Sequence, residues 1–188
     1  MEEITRNTGI TYRNLLKAIY YPGRVFDMCT FKDYGLSLSN EAIEIALTLL
    51  DGEVSFYIDG EDEKSIEEIS IRTNSRVDDF TRADFIFIPR DRQTDLEKYK
   101  DVKLGSLVDP QESASFIVEV KSLEEGKDYK LTGPGIDGSL VCKIDQADDI
   151  LALRKDLVDF PQGIDIFFVD ENKKLMAIPR STRVEGVK

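Results

Sequence analysis

The chain has 188 residues, and its 25 Lys and Arg against 37 Asp and Glu give a formal net charge of −12 at pH 7. Because the sequence contains no histidine, Ser-His-Asp triads, Cys-His dyads and His-ligated zinc sites are excluded. The acidic excess repels phosphate backbones, so we expect one folded domain over residues 1–188 that binds neither free nucleic acid nor anionic membranes.

The first half of the chain predicts helices and strands in alternation. Apolar residues at helical spacing favour helices that end at Gly or Pro turns, whereas compact or period-two apolar runs favour strands. The predicted elements are a helix from Tyr12 to Tyr20, a helix over residues 40–50 capped by Ser39, a strand over 54–58, a short helix around Ile66 and Ile69, and strands over 85–88 and 116–120.

The second half continues the alternation and ends in a predicted hairpin. Its elements are a loop or short helix over residues 91–103, a Gly-rich turn at 133–138, a strand over 140–144, a helix over 150–158, and strands over 164–169 and 175–178. We therefore predict an α/β fold of layers, in which helices flank a sheet that the hairpin makes mixed rather than purely parallel.

The cysteines and the N-terminus indicate a cellular setting. Cys29 and Cys142 stand far apart with no CxxC motif, so neither a disulfide framework nor a thiolate metal site is predicted. The sequence begins without a basic segment or an apolar signal core, and no apolar run approaches the roughly 18 residues of a membrane span. We expect a reduced, cytoplasmic protein that is not secreted by that route.

The first candidate binding motif is the Gly-rich stretch at residues 132–138, TGPGIDG. The backbone N–H groups of this stretch, which includes Gly133, Gly135, Asp137 and Gly138, could point toward one ligand, as in an anion nest. The spacing matches neither the phosphate-binding GxxxxGK[ST] motif nor the dinucleotide motif GxGxxG. The same residues are also typical of a tight turn between strands, and both interpretations stay open.

Three arginines are further candidates for anion or interface contacts. Arg180 and Arg183 lie three residues apart, and a guanidinium presents a planar fork suited to phosphate, phosphonate or a partner's carboxylate. An ion pair with Asp165 or Asp170 would instead make them structural. Arg24 follows a predicted Pro-Gly turn, where a solvated position is the alternative.

The sequence singles out no catalytic residue and no metal ligand. Its 37 acidic residues offer many carboxylates for acid-base chemistry and no means of ranking them. Lys121 follows a predicted buried strand, as a pyridoxal Schiff-base lysine could, but no motif for a cofactor phosphate or pyridine nitrogen accompanies it. A solvated strand end is the simpler interpretation of this lysine.

Several short blocks occur in an order that resembles the PhnH family, the H subunit of the bacterial carbon-phosphorus lyase system for phosphonate utilisation. The most specific are TGPGIDG at residues 132–138, FPQGID at 160–165 and PRSTR at 179–183. The others are YPGR at 21–24, LTLLD at 47–51, ADF at 83–85, LGS at 104–106 and DPQESA at 109–114. The resemblance covers nearly the whole chain.

The resemblance implies a fold similar to the pyridoxal-phosphate-dependent transferases but without that cofactor. It also implies a homodimer, and assembly with the G, I and J subunits into a cytoplasmic complex. Together with the G, I and L proteins, the family's H subunit is assigned to the step in which an alkylphosphonate displaces adenine from ATP, giving ribose 1-phosphonate 5-triphosphate.

Residues and resemblance together favour an accessory subunit that assembles or orients a neighbouring active site and is not catalytic alone. A chain without histidine or a metal-ligand cluster is a poor candidate for performing this chemistry by itself. The alternative is a subunit that supplies an anion pocket directly, through the loop from Gly133 to Gly138 and the guanidinium groups of Arg180 and Arg183.

Overall fold

A computed structural model describes residues 2–60, 62–90 and 96–186. The helices are α1 (Glu2–Tyr20), α2 (Asn40–Leu49), α3 (Glu63–Thr73) and α4 (Asp148–Leu157), with 3-10 helices at Leu96–Asp101 and Pro110–Glu112. The strands are β1 (Phe26–Asp27), β2 (Ser55–Ile58), β3 (Arg76–Val77), β4 (Phe85–Ile88), β5 (Ser115–Val120), β6 (Lys127–Thr132), β7 (Leu140–Ile144), β8 (Asp165–Asp170), β9 (Lys174–Ile178) and β10 (Arg183–Gly186).

The strands form two sheets. The larger has seven strands in the order β1-β9-β8-β5-β4-β2-β3, and the smaller has three in the order β10-β6-β7. In the larger sheet β3, β2, β4, β5 and β8 pair in parallel, whereas β9 pairs antiparallel with both β8 and β1. The prediction of a mixed α/β sheet is confirmed, and so is the hairpin, which is β8–β9, although it is not terminal because β10 follows it.

The larger sheet is buried on both faces, as its compact apolar runs predicted. In β5, Phe116 and Val118 face one core cluster, which includes residues of α4 and of the smaller sheet. Ile117 points the opposite way into a second cluster, formed with α1, α2 and α3. The alternation follows from the two-residue period of a strand, and it places helices on one face and α4 with the smaller sheet on the other.

Helices α2, α3 and α4 begin and end close to the predicted positions, whereas α1 begins at Glu2, ten residues before the predicted start at Tyr12. The hydroxyl of Ser39 accepts a hydrogen bond from the backbone N–H of Ala42 at 3.2 Å and caps α2 as expected. On α1, however, only part of the apolar pattern is buried. Leu15 lies in the core, whereas Leu16 and Tyr20, which share the predicted helical spacing, are exposed.

Two of the strands that sequence analysis missed belong to the smaller sheet. In β6 only Tyr129 and Leu131 are buried, and the residues between and before them are charged or polar, so the run carries little apolar signal. Strand β10 is mostly exposed. Of the stretch predicted as a loop or short helix, residues 91–95 lie outside the described residues, and Leu96–Asp101 is the helical alternative.

The two cysteines of the chain are both free. Cys29 is exposed and Cys142 is buried, and burial raises the pKa of the Cys142 thiol to about 11.

In the described part of the chain, no helix is both long and apolar enough to cross a membrane. No group of three or more Cys, Asp or Glu side chains among residues 2–60, 62–90 and 96–186 could hold a metal ion.

A buried carboxylate joins β5 to the start of α2. Glu119 Oε1 accepts a hydrogen bond from the backbone N–H of Ser39 at 2.7 Å, and its second oxygen lies 3.4 Å from the backbone nitrogen of Arg90. Burial raises the pKa of the Glu119 carboxyl more than these hydrogen bonds and the charge of Arg90 lower it. Burial also raises the pKa of Glu41, a near neighbour that feels the charge of Glu119.

Replacing Glu119 by Gln is expected to make the protein less sensitive to rising pH. A carboxyl whose pKa is raised by folding binds its proton more tightly when folded, so its contribution to stability declines as the pH rises above 4.5. The Gln variant lacks this contribution. Its free energy of unfolding, relative to the wild type, should therefore rise as the pH increases above 4.5, as measured by urea denaturation.

The matched control is Glu67→Gln, which makes the same change at an exposed position of α3. It should leave the pH profile of stability as in the wild type. Parallel profiles for the wild type and Glu119→Gln would contradict the assignment of this pH dependence to Glu119.

Candidate functional site

An open cleft of about 1370 Å³ lies between α4, the β6–β10 edge of the smaller sheet and the turn at residues 179–182. Five cationic side chains line it, against three acidic ones. The cationic residues are Lys127, Arg154, Lys155, Arg180 and Arg183, and the acidic residues are Asp148, Asp159 and Glu185. In a chain whose net charge is −12, this lining is a local excess of positive charge.

Arg180 ties the turn to two other parts of the molecule. Its Nε lies 3.2 Å from Asp165 Oδ2, its Nη2 forms an ion pair with the same oxygen, and its Nη1 donates to the carbonyl of Pro110. Its backbone N–H donates to Asp165 Oδ1 at 2.7 Å. The predicted alternative of an ion pair with Asp165 is therefore the contact that Arg180 makes, and Asp165 uses both oxygens on it.

Arg154 is a buried cation beneath the same turn. Its side chain comes from α4, and Nη2 donates to the carbonyl oxygens of Pro179 at 2.6 Å and Thr182 at 2.8 Å. The residue is only 4% exposed, and its Nε has no hydrogen-bond partner. Desolvation lowers the pKa of the guanidinium to about 10, partly offset by the charge of Asp165, so Arg154 stays protonated at neutral pH.

Thr182 and Gly133 meet beside Arg154. Thr182 is 2% exposed, and its hydroxyl oxygen has no hydrogen-bond partner. Gly133 has φ +137°, and a Cβ there would lie 2.8 Å from the carbonyl oxygen of Ser181 and 3.3 Å from Thr182 Cα. A glycine is required at this position because the loop backbone passes directly against the turn.

The far end of the cleft holds a separate network. Asp148 Oδ1 accepts hydrogen bonds from Lys127 Nζ at 2.8 Å and from the hydroxyl of Tyr129 at 2.7 Å. These bonds lower the pKa of Asp148, and burial together with the carboxylate raises the pKa of Tyr129. Asp148 is therefore an ionised acceptor at neutral pH rather than a proton donor.

Residues from the three most specific sequence blocks of the family resemblance line this cleft. Gly133 comes from the block at residues 132–138, Phe160 from the block at 160–165, and Arg180 to Arg183 from the block at 179–183. A sequence model of the family described as "Bacterial phosphonate metabolism protein (PhnH)" matches residues 2–185. The chain belongs to this family.

Two curated relatives agree with the assignment. The PhnH-family chain is 25% identical over 176 residues to "Putative C-P lyase subunit protein HtxG" of Stutzerimonas stutzeri, covering 92% of this chain and 83% of the relative. It is also 25% identical over 178 residues to "Alpha-D-ribose 1-methylphosphonate 5-triphosphate synthase subunit PhnH" of Rhizobium meliloti (strain 1021), covering 93% and 88%. The resemblance stated from the sequence motifs is thereby confirmed.

The structure of this PhnH-family chain brings together three of the seven candidate site residues. Gly133, Arg180 and Arg183 line the cleft. The other four are exposed outside its lining, and they are Gly135, Asp137, Gly138 and Arg24. The loop joins β6 to β7, as the tight-turn interpretation requires.

Three of the four candidates outside the cleft have neighbours, or lack them, in a way that describes their position. Gly135 packs against the end of α1, where a Cβ would lie 2.5 Å from the carbonyl oxygen of Tyr20. Arg24 lies over the ring of Tyr21, with its guanidinium carbon 5.2 Å from the ring centroid. Around Gly138, at the end of the loop, an added Cβ would have no neighbour within 4 Å.

Sequence analysis missed Arg154 and Thr182, two cleft residues that each have one buried side-chain atom without a hydrogen-bond partner, Nε and Oγ1 respectively. One signal was present for Arg154. It stands four residues after Ile150 and three before Leu157, both buried, so a charged residue occupies the apolar face of α4. Thr182 belongs to the PRSTR block at 179–183, but its burial depends on how the turn folds over α4 and could not be predicted from that block.

The arrangement offers hydrogen-bond donors and positive charge rather than a proton-transfer pair. Arg154 lies buried below the turn and Arg183 lines the cleft, whereas Asp148 and Asp165 are already engaged by Lys127, Tyr129 and Arg180. Such a lining suits the binding of an oxyanion or a partner's carboxylate.

Proposed function

We propose that this chain is an accessory subunit of the carbon-phosphorus lyase system. It supports the step in which an alkylphosphonate displaces adenine from ATP and ribose 1-phosphonate 5-triphosphate forms. In that step an oxygen of the phosphonate bonds to C1′ of the ribose as the bond from C1′ to adenine breaks. The observation that carries the proposal is the family match over residues 2–185, and the synthase subunit from Rhizobium meliloti supports the choice of step.

The cationic lining of the cleft supports assembly or orientation rather than catalysis. Expulsion of adenine is helped by a group that protonates the leaving base, and such a group must hold a proton near neutral pH. Asp148, in the cleft, has a lowered pKa and is bound to Lys127, so it is not suited to that task. We therefore assign the leaving-group chemistry to another subunit.

The proposed partners are a second copy of this chain and the G, I and J subunits, in a cytoplasmic complex. Two relatives are named as subunits of larger assemblies, which supports a multi-subunit setting. The net charge of −12 supports docking onto more basic protein surfaces rather than onto nucleic acid or anionic membranes.

Co-expression tests the assembly role. The chain, carrying an affinity tag, is expressed with the G, I and J subunits from the same organism, and native mass is measured after purification. We expect stoichiometric co-purification, and loss of methylphosphonate-dependent adenine release from ATP when this chain is omitted. Moving the tag to the G subunit controls for resin binding. A separate homodimer, with full adenine release by the remaining subunits, would overturn the proposal.

We also propose that the fold is related to the pyridoxal-phosphate-dependent transferases and holds no cofactor. The mixed seven-stranded sheet with helices on both faces supports the fold relation. Lys121 is exposed immediately after β5, where solvent rather than a cofactor pocket surrounds it. Absorbance spectra with added pyridoxal phosphate test the point, and a lysine adduct trapped by borohydride would contradict it.

A second candidate function is the direct supply of an anion pocket to the same step. The cationic lining of the cleft favours it, since an acidic subunit would otherwise repel ATP and phosphonate. The loop and the two arginines named in the sequence prediction meet there through Gly133, Arg180 and Arg183.

A further inference from the structure

Helix α1 carries apolar side chains on two sides, and one side faces solvent. Leu15 and Ala18 bury the inner side in the core. On the outer side Tyr12, Leu16 and Tyr20 follow one another at intervals of four residues, which places them in one row along the helix. These three side chains are 49%, 51% and 69% exposed. Packing of the core therefore accounts for only the inner side of α1.

The exposed row continues past the end of the helix. The ring of Tyr21 packs edge-on against Tyr20, with the centroids 4.7 Å apart, and the guanidinium of Arg24 lies over it. Gly135, in the loop between β6 and β7, packs directly against Tyr20. Two blocks of the family resemblance, YPGR and TGPGIDG, therefore meet here, away from the cleft. We call this surface the α1 face, and it consists of Tyr12, Leu16, Lys17, Tyr20, Tyr21 and Arg24.

The α1 face is cationic, although the chain as a whole is acidic. Between residues 4 and 26 the sequence contains four Lys and Arg and no Asp or Glu, whereas the whole chain has 37 acidic residues. Arg13, Lys17 and Arg24 are all exposed. The loop at residues 133–139 adds one carboxylate, Asp137. A partner that presents negative charge is therefore complementary to this face.

The residue types and the charge favour a protein surface as that partner. Tyrosine and arginine are the residues in which the binding energy of protein interfaces is concentrated. An anionic membrane or a nucleic acid extends beyond the face and meets the rest of a chain of net charge −12, which repels it. A second copy that docks α1 against α1 would set Lys17 and Arg24 against the same cations.

We propose that the α1 face docks onto an acidic surface of a different protein subunit. Leu16 and Tyr20 are the apolar anchors of this contact, and Lys17 and Arg24 supply the complementary charge. The face is thus the exception on a chain whose remaining acidic surface suits basic partners. The inference rests on the proposed assembly role and adds the surface through which it operates, whereas assembly through another surface would leave the proposed function intact.

The test is biolayer interferometry between this chain and the purified complex of the G, I and J subunits from the same organism. We expect Tyr20→Ala to raise the Kd about 30-fold, because it removes an aromatic anchor. Its melting temperature should stay within about 2 °C of the wild type, since the side chain is mostly exposed in the free chain. Wild-type affinity in Tyr20→Ala would overturn the proposal.

Ile71→Ala is the matched control for the apolar anchor. Ile71 is 72% exposed on α3, so its truncation also removes a large solvent-facing apolar side chain from a helix. It should leave the affinity for the other subunits unchanged. Equal weakening by Tyr20→Ala and Ile71→Ala would assign the effect to the loss of any exposed apolar group and contradict a specific site on α1.

A charge reversal tests the sign of the partner surface. Lys17→Glu should slow association with the other subunits about tenfold at low salt, and added NaCl should narrow the difference from the wild type. Lys64→Glu makes the same change at an exposed position of α3 and should not slow association. Faster association of Lys17→Glu would show that the partner surface is basic and overturn the proposal.

Two further measurements examine the other possible occupants of the α1 face. A change of native mass from dimer to monomer in Tyr20→Ala would assign the face to a second copy. Binding of the wild-type chain to vesicles of phosphatidylcholine and phosphatidylserine, lost in Tyr20→Ala, would assign it to a membrane. Either result would overturn the proposal. Failure of the wild-type chain to bind the G, I and J complex would overturn both this inference and the assembly role.

Discussion

Replacing Arg180 by Ala is expected to lower the free energy of unfolding by about 3 kcal/mol. The side chains of Arg180 and Asp165 are only 15% and 21% exposed, and the ion pair joins the turn at residues 179–182 to the start of β8. The substitution leaves Asp165 half-buried without its cation and frees the carbonyl of Pro110. Removing one partner of such a pair costs more than the pair itself contributes, because the remaining charge stays desolvated.

The matched control is Arg183→Ala, three residues further on. Arg183 is exposed, and its side chain makes no hydrogen bond or ion pair within the described part of the chain, so its truncation should change stability by less than about 0.5 kcal/mol. Arg180→Lys should fall between the two, since an ammonium keeps the charge and loses the fork. Urea denaturation of all three variants measures the effect, and equal stabilities for Arg180→Ala and Arg183→Ala would refute it.

Replacing Phe116 by Ala is expected to cost about 4 kcal/mol of unfolding free energy. Phe116 is fully buried in the centre of the larger sheet, between Ile86 of β4 and Ile166 of β8. Its ring packs edge-on against Tyr99, with the centroids 5.7 Å apart. Truncation leaves a cavity that strands paired on both sides cannot close, so the lost contacts are not recovered.

Phe160→Ala makes the same truncation at a phenylalanine that is 68% exposed. It should change stability by less than about 0.5 kcal/mol, because little apolar area is returned to water and no cavity forms. Thermal or urea unfolding compares the two variants. A similar loss in both would mean that the centre of the sheet relaxes around the missing ring.

Where an element buries a continuous or regularly spaced apolar set, the sequence was sufficient to predict it. The run from Phe85 to Ile88 and the hairpin β8–β9 carry that signal. The start of α2 was predicted from a different signal, its capping residue Ser39. β6 was missed because only Tyr129 and Leu131 face the core. Its strand conformation depends on pairing with β7 and β10, which local sequence does not encode.

For the candidate site, the sequence indicated the residue types and the tertiary structure selected among them. Arg180 and Arg183 looked alike in the motif, yet Arg180 is occupied by Asp165, fifteen residues away in the chain, and Arg183 is exposed. Which arginine is engaged depends on how β8 and the turn after β9 come together, and no local pattern carries that information.

The sequence by itself determined the family, the α/β alternation and the absence of histidine chemistry, because these follow from motif order, periodicity and composition. Only the tertiary structure decided that Arg154 is a buried cation and that Thr182 has an unpartnered hydroxyl. The physical reason is that burial and pairing are properties of several elements at once. Helix α4, the loop at Gly133 and the turn at residues 179–182 must all be in place before either donor is taken out of water.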